Sequence, residues 1–241
     1  MQGVKPTEPL VQPVLDSPKI DILESRLHWW LFGASVLLVT LPVFVQAPLV
    51  RQWPTLSLVA SLGWLGTGGY LRTRPRLQLW GDLLIGFTLA WFAGSIYWGW
   101  FRWEPLLHIP LEAVALPFAI WAWRASWCRV GMGFYLGSLL GTAITDLYFY
   151  LVELIPFWRS LLRVDQTQAF TVLQSALVKV QTPWGTGWAA ALIVALCMIG
   201  IVPLLPGSTS HDSRLYRWVF SGAVLGTLMV DSLFLLVATR F

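Results

Sequence analysis

Charge is what this sequence has least of. Only 12% of its 241 residues are Asp, Glu, Lys or Arg, about half of the roughly 25% that coats an ordinary water-soluble domain. With 56% hydrophobic residues and a mean hydropathy of +0.66, the chain fits neither a water-facing globule nor a disordered segment. Cysteine is nearly absent. Cys128 and Cys197 form no CxxC pair and one lies inside an apolar run, which argues against a disulfide framework or a zinc site. A thiol beside Arg129 would have a lowered pKa if the arginine dominated its surroundings. Catalytic signatures are also missing: there is no G-x-S-x-G, no H-E-x-x-H, no phosphate-cradling loop and no G-x-G-x-x-G in a strand–helix setting. The reading is of a protein that is not an enzyme. The net charge of +4 comes from basic residues scattered among short loops, which sets membrane orientation and does not build a nucleic-acid-binding face.

What the sequence does have is long apolar runs. A bilayer span needs about 20 such residues, and seven stretches qualify: 29–47, 53–70, 77–101, 106–123, 130–157, 188–205 and 218–239. The expected fold is an all-α, polytopic transmembrane helix bundle. Because only 48–52 separates the first two stretches, six spans with a re-entrant hairpin remain an alternative. Tryptophan supports seven. Of the 16 tryptophans, only Trp64 and Trp91 fall mid-span; the others sit at or just beyond an expected end, where an indole joins apolar body and polar N–H to the headgroup zone.

Residues 1–28 divide from the rest. Pro6, Pro9, Pro13 and Pro18 mark a flexible tail, and Ile20, Leu23 and Leu27 recur at helical spacing as a lead-in helix. Asp16, Asp21 and Glu24 argue against a cleaved signal peptide. Residues 29–241 form a single transmembrane domain. Lys and Arg number ten in the segments inside a cytoplasmic-N-terminus topology and six outside, which predicts N-in and C-out. The one long connection, 158–187, then lies outside. Within it Phe170, Leu173, Leu177 and Val180 make an apolar stripe, and Pro183 ends the pattern. That is an amphipathic helix for the membrane surface or for the end of the bundle.

Two segments echo each other. Gly137 and Gly141, followed by Thr142 and Asp146, recur as Gly222 and Gly226, followed by Thr227 and Asp231. Small residues four apart let helix backbones approach closely, so these four glycines are the expected packing positions; convergence on a common small-residue pattern explains the echo equally well.

Intramembrane carboxylates each demand an explanation, since an ionised Asp at mid-bilayer costs about 2.5–3.5 kcal/mol on insertion scales. Asp82 lies near an inner end, within reach of Arg76, and reads as structural. Asp146, Asp231 and Glu153 lie toward the outer side, with Glu153 two turns beyond Asp146 on the same helix face. His108 and Glu112, four apart, share another face. The expected polar cluster is therefore Asp146, Asp231, Glu153, Glu112 and His108. It has three candidate roles: a proton or cation path, ligation of a divalent ion or a chlorophyll magnesium, or a structural contact in which the acids are protonated or paired with Arg and Tyr. Tyr148, Tyr150, Thr142 and Thr227 are the nearby candidates for such contacts.

The stretch Phe101-Arg102-Trp103-Glu104-Pro105-Leu106-Leu107-His108, Glu112 and Pro117, the run from Gly141 to Tyr150, Gln181-Thr182-Pro183-Trp184-Gly185 and the final Ser221-Gly222 helix resemble an uncharacterised cyanobacterial integral-membrane family, a domain of unknown function. The resemblance runs from about residue 29 to the end and carries no catalytic or binding residues across. It implies a setting of chlorophyll–protein membranes, thylakoid or plasma membrane. From it follows the expectation of an accessory protein for assembly or maintenance of photosynthetic complexes, with photosystem subunits as partners and chlorophyll or carotenoid as conceivable pigments. The intramembrane carboxylates motivate the alternative, a proton- or cation-coupled transporter that uses Asp146, Asp231, Glu153 and Glu112.

Overall fold

A computed structural model describes residues 18–205 and 211–238; residues 1–17 of the expected flexible tail lie outside the described residues, and Pro18 already opens a helix. Every regular element among them is helical: α1 (Pro18–Leu41), α2 (Ala47–Gln52), α3 (Pro54–Arg72), α4 (Gln78–Ile96), α5 (His108–Glu112), α6 (Leu116–Arg124), α7 (Arg129–Leu151), α8 (Ile155–Leu161), α9 (Gln166–Val180), α10 (Pro183–Ile201) and α11 (His211–Ala238). Six stretches are long and apolar enough to cross a bilayer: Arg26–Gln52, Gln78–Phe101, Pro105–Arg124, Arg129–Leu151, Pro183–Leu204 and Arg214–Leu236. The protein is a multi-pass membrane helix bundle. The expected stretch 53–70 is a helix, α3, 19 residues long, but it is not among these six; Gly63, Gly66, Gly68 and Gly69 dilute its apolar content.

Four helices, α1, α4, α7 and α11, run in the same direction around one core. Leu31, Leu83, Phe87, Trp91, Val130, Phe134, Leu215 and Val219 fill it. Glycine sets the spacing. A Cβ on Gly86 of α4 would lie 2.0 Å from the Gly131 carbonyl oxygen of α7, so only hydrogen fits between those backbones. Gly137 and Gly141 of α7 receive Phe220, Ala223 and Thr227 of α11, while Gly222 and Gly226 of α11 receive Phe32, Ser35 and Val36 of α1. The two echoed segments are thus successive links of one chain of contacts, α7 onto α11 and α11 onto α1.

The antiparallel helices α3, α6 and α10 pack outside this core. Helix α3 returns along the length of α4, from Ser57 beside Ser95 to Gly68 beside Ile85. Where α1 passes into α2, a π-helical turn, Pro42–Gln46, turns Gln46 inward. Its amide donates to the Trp91 carbonyl (2.6 Å) and to Ser95 (2.9 Å), satisfying a polar group that lipid would leave unpaired. The two mid-span tryptophans meet here, Trp64 and Trp91 with ring centroids 5.9 Å apart.

Two expectations need correcting. The fifth apolar stretch ends at Leu151 rather than 157, because Glu153 adopts φ 58° and Pro156 opens a new helix, α8. Asp82 pairs with Arg72 (2.7 Å), not Arg76. The Arg72 guanidinium also lies 4.5 Å over the Trp127 ring, so the ends of α3, α4 and the α6–α7 turn are tied together.

Candidate functional site

The span from Pro105 to Arg124 is not one smooth helix. Pro110 and Pro117 remove amide donors, and 3-10 turns at Pro105–Leu107 and Ala113–Ala115 bracket the single α-turn of α5. Glu104 caps its start, accepting from the Leu106 amide (3.3 Å). In the second 3-10 turn the Leu116 amide bonds Ala113 instead of reaching back four residues. The Glu112 carbonyl accepts instead from the Tyr135 hydroxyl of α7 (2.7 Å), which fixes α5 against α7.

That placement brings His108 to Asp146. The imidazole Nδ1 lies 2.9 Å from Asp146 Oδ2, so with the carboxylate as acceptor the Nδ1–H donates. Nε2 faces Glu112 Oε1 at 3.8 Å. Tyr97 stacks on the imidazole with centroids 4.2 Å apart, while Trp98 and Trp158 meet it edge-on at 5.6 and 5.8 Å. His108 is 6% exposed. Trp158 comes from α8 and is held by its indole N–H donating to the Arg102 carbonyl (3.2 Å). Beside Asp146, Thr145 faces the other way: its hydroxyl donates to Asp231 Oδ2 of α11 (2.6 Å). Asp146 and Asp231 are thus linked through adjacent residues of α7, Asp146 itself bonding His108 and Thr145 bonding Asp231.

Of the five residues expected in this cluster, His108 meets both Glu112 and Asp146. Asp231 adjoins them through Thr145. Glu153 does not join. It lies beyond the end of α7, exposed, paired with Lys179 (2.5 Å), because its left-handed backbone takes it off the helix face that carries Asp146. The expected polar contacts also differ. Tyr148 donates to the Gly185 carbonyl, and Thr142 and Thr227 bond carbonyls of their own helices. Tyr97, Trp98, Trp158 and Thr145 were not singled out by sequence; the tryptophans carried a signal, their place at a span end, that reads as lipid anchoring.

Outside the spans, the hydrogen bond from Arg159 (2.6 Å) holds the Glu104 carboxyl below its ordinary range, and the bond from Lys179 does the same for Glu153. Burial pushes the Cys128 thiol up, overriding the basic loop that would have lowered it.

Among the described residues no three His, Cys, Asp or Glu side chains are arranged to hold a metal ion. A chlorophyll magnesium on His108 would need an open face at Nε2, and that imidazole is enclosed by Tyr97, Trp98 and Trp158. The residues present do not fit that group.

Residues 34–239 match the family described as protein of unknown function (DUF3120). The chain belongs to this family. The match includes His108, Glu112, Asp146 and Asp231, all of α4 and α7, α11 as far as described, and the last turns of α1. No curated protein and no solved structure matches the chain.

Proposed function

We propose that this is a non-enzymatic integral membrane accessory protein that assists assembly or maintenance of a multi-subunit membrane complex. The cyanobacterial resemblance points to photosynthetic complexes of the thylakoid or plasma membrane as the complexes served. The observation that carries this reading is the closure of the polar cluster. His108 is sealed by three aromatic rings, Asp146 of α7 is bonded to His108 of α5, and Asp231 of α11 accepts from Thr145 of α7. Two hollows in the surface, of about 360 and 460 Å³, lie elsewhere and are lined by none of the cluster residues. Buried polar pairs of this kind fix which helices meet. Such a bundle then offers its outward apolar faces to lipid and to partner helices; α10 exposes Ile193, Val194, Met198 and Ile201.

Affinity purification from membranes solubilised in mild detergent tests the proposal. Photosystem or other photosynthetic subunits are expected to co-purify at defined stoichiometry. Recovery of the protein alone, with photosynthetic complexes unaltered in a strain lacking it, would sink this reading.

One observation favours a second reading, proton- or cation-coupled transport: Asp231 accepts from Thr145, the residue next to Asp146, and intramembrane acids often mark ion pathways. In liposomes loaded with a pH-sensitive dye, this reading expects cation-driven proton movement that Asp146→Asn and Asp231→Asn each abolish. Equal signals from wild type and both folded variants would remove it.

A further inference from the structure

At the end of the bundle opposite His108, the chain gathers arginine. Arg26, Arg74, Arg76, Arg124, Arg129 and Arg214 are all exposed there. One hollow of about 360 Å³ opens between α6, α7, the end of α10 and α11 at this level. Its lining is divided by chemistry. Arg217 stands at the charged level, Trp123 and Tyr216 meet edge-on beside it with centroids 4.6 Å apart, and Leu136, Phe220 and Val202 make the apolar wall.

The division follows depth. Trp123 and Val202 lie near the ends of their spans and Arg217 near the start of its own, whereas Leu136 is seven residues into Arg129–Leu151. At 1.5 Å per residue, the hollow reaches from headgroup depth to about 10 Å into the hydrocarbon. Val202 is 59% exposed, so the hollow opens sideways, toward lipid. Its shape is itself determined by a glycine. A Cβ on Gly133 would lie 2.9 Å from the Tyr216 carbonyl oxygen, and that close approach of α7 to α11 fixes where Tyr216 stands. Neither Arg214 nor Arg217 takes part in an ion pair among the described residues. A cation beside an apolar wall at the membrane interface is complemented better by a headgroup of net negative charge than by a zwitterionic one.

We infer that this hollow is a binding site for one anionic phospholipid, its phosphate on Arg217 and its upper acyl chain along Leu136, Phe220 and Val202. The aromatic pair Trp123 and Tyr216 forms the side wall at glycerol depth, where indole and phenol rings are favoured. The site is independent of the role proposed for the His108 cluster, which lies at the other end of the bundle.

The test uses the full chain, purified in mild detergent, stripped of lipid and titrated with phosphatidylglycerol or phosphatidylcholine, with bound lipid counted by native mass spectrometry. Wild type is expected to retain one phosphatidylglycerol, about fivefold more tightly than phosphatidylcholine, the factor one arginine supplies at an anionic surface. Arg217→Gln is expected to lose that preference and Arg217→Lys to keep it. Val202→Trp, which fills the hollow, should weaken retention of both lipids. Arg74→Gln, at the same end but away from the hollow, should change nothing. Equal retention of the two lipids by wild type, an unchanged preference in Arg217→Gln, or displacement of the lipid by millimolar glycerol 3-phosphate overturns the assignment; the last outcome would mean a soluble phosphate ligand.

Discussion

His108 is the residue on which the polar cluster turns, since it touches both Asp146 and Glu112. Removing the donor and removing the charge have different consequences. Asn at position 146 still accepts from the imidazole N–H, whereas Phe at position 108 keeps the stack on Tyr97 but leaves the Asp146 carboxyl without its partner. An orphaned buried polar group costs about 1–3 kcal/mol, so His108→Phe is expected to lower the melting temperature in detergent clearly more than Asp146→Asn. Equal melting temperatures would show that the hydrogen bond contributes nothing. The exposed pairs behave differently. Glu104 and Glu153 have carboxyls held below their ordinary range by Arg159 and Lys179. A lowered folded value means the contact stabilises fully above the unfolded carboxylate range, near pH 4.3, and is lost as pH falls through the lowered value. Hydrogen exchange in α8 and α9, corrected for intrinsic rate, should therefore be flat from pH 8 to about 5 and rise only below about 4. Loosening already at pH 6 would assign those segments to other contacts. Of these pairings only His108 with Glu112, four residues apart, is readable from spacing. The periodicity that put Glu153 on the face of Asp146 holds only while the helix continues, and Pro156, three residues on, was the signal that it does not.

At the level of helices, the small residues do the positioning. Two glycines face different neighbours: a Cβ on Gly86 meets backbone at 2.0 Å, while a Cβ on Gly200 meets only the end of the Leu225 side chain at 2.7 Å. Backbone cannot swing aside and a leucine can. Gly86→Ala is expected to force α4 and α7 apart and cost about 1–3 kcal/mol or more, as overpacking does; Gly200→Ala should leave thermal stability within about 0.5 kcal/mol. Comparable losses from both would mean that α4 and α7 do not approach this closely. Helix existence was legible from the apolar runs, and α9 from its stripe; its start is marked by Asp165, which accepts from the Gln168 amide (3.1 Å). Helix α8 was not legible, because seven residues are too few to show a period.

For the molecule as a whole, direction matters more than count. Helices α1, α4, α7 and α11 are mutually parallel, and α3 runs back along α4 through its length. If α4 crosses the bilayer, α3 crosses beside it despite its glycines, and the two ends of the chain come out on opposite faces. Reporter fusions or cysteine accessibility should find the N-terminus in the cytoplasm and the C-terminus outside, with the connection carrying α9 also outside. Both termini on one face would restore the six-span arrangement with a re-entrant segment.

Composition alone determined the class of this protein: too little charge to face water, and enough apolar length to fill a bilayer several times over. That follows from bulk transfer energetics, which sum over residues and need no partners. The echo of Gly137 and Gly141 in Gly222 and Gly226 announced close packing for the same reason, since a missing side chain permits approach by any neighbour. Which neighbour arrives is another matter. That α7 turns its glycines to α11 and α11 turns its own to α1, that His108 meets Asp146 and that Glu153 meets Lys179 were decided by tertiary structure. Such contacts join residues far apart in the chain, Thr145 and Asp231 by 86 positions and α11 to α1 by more, and only the packed bundle brings them together.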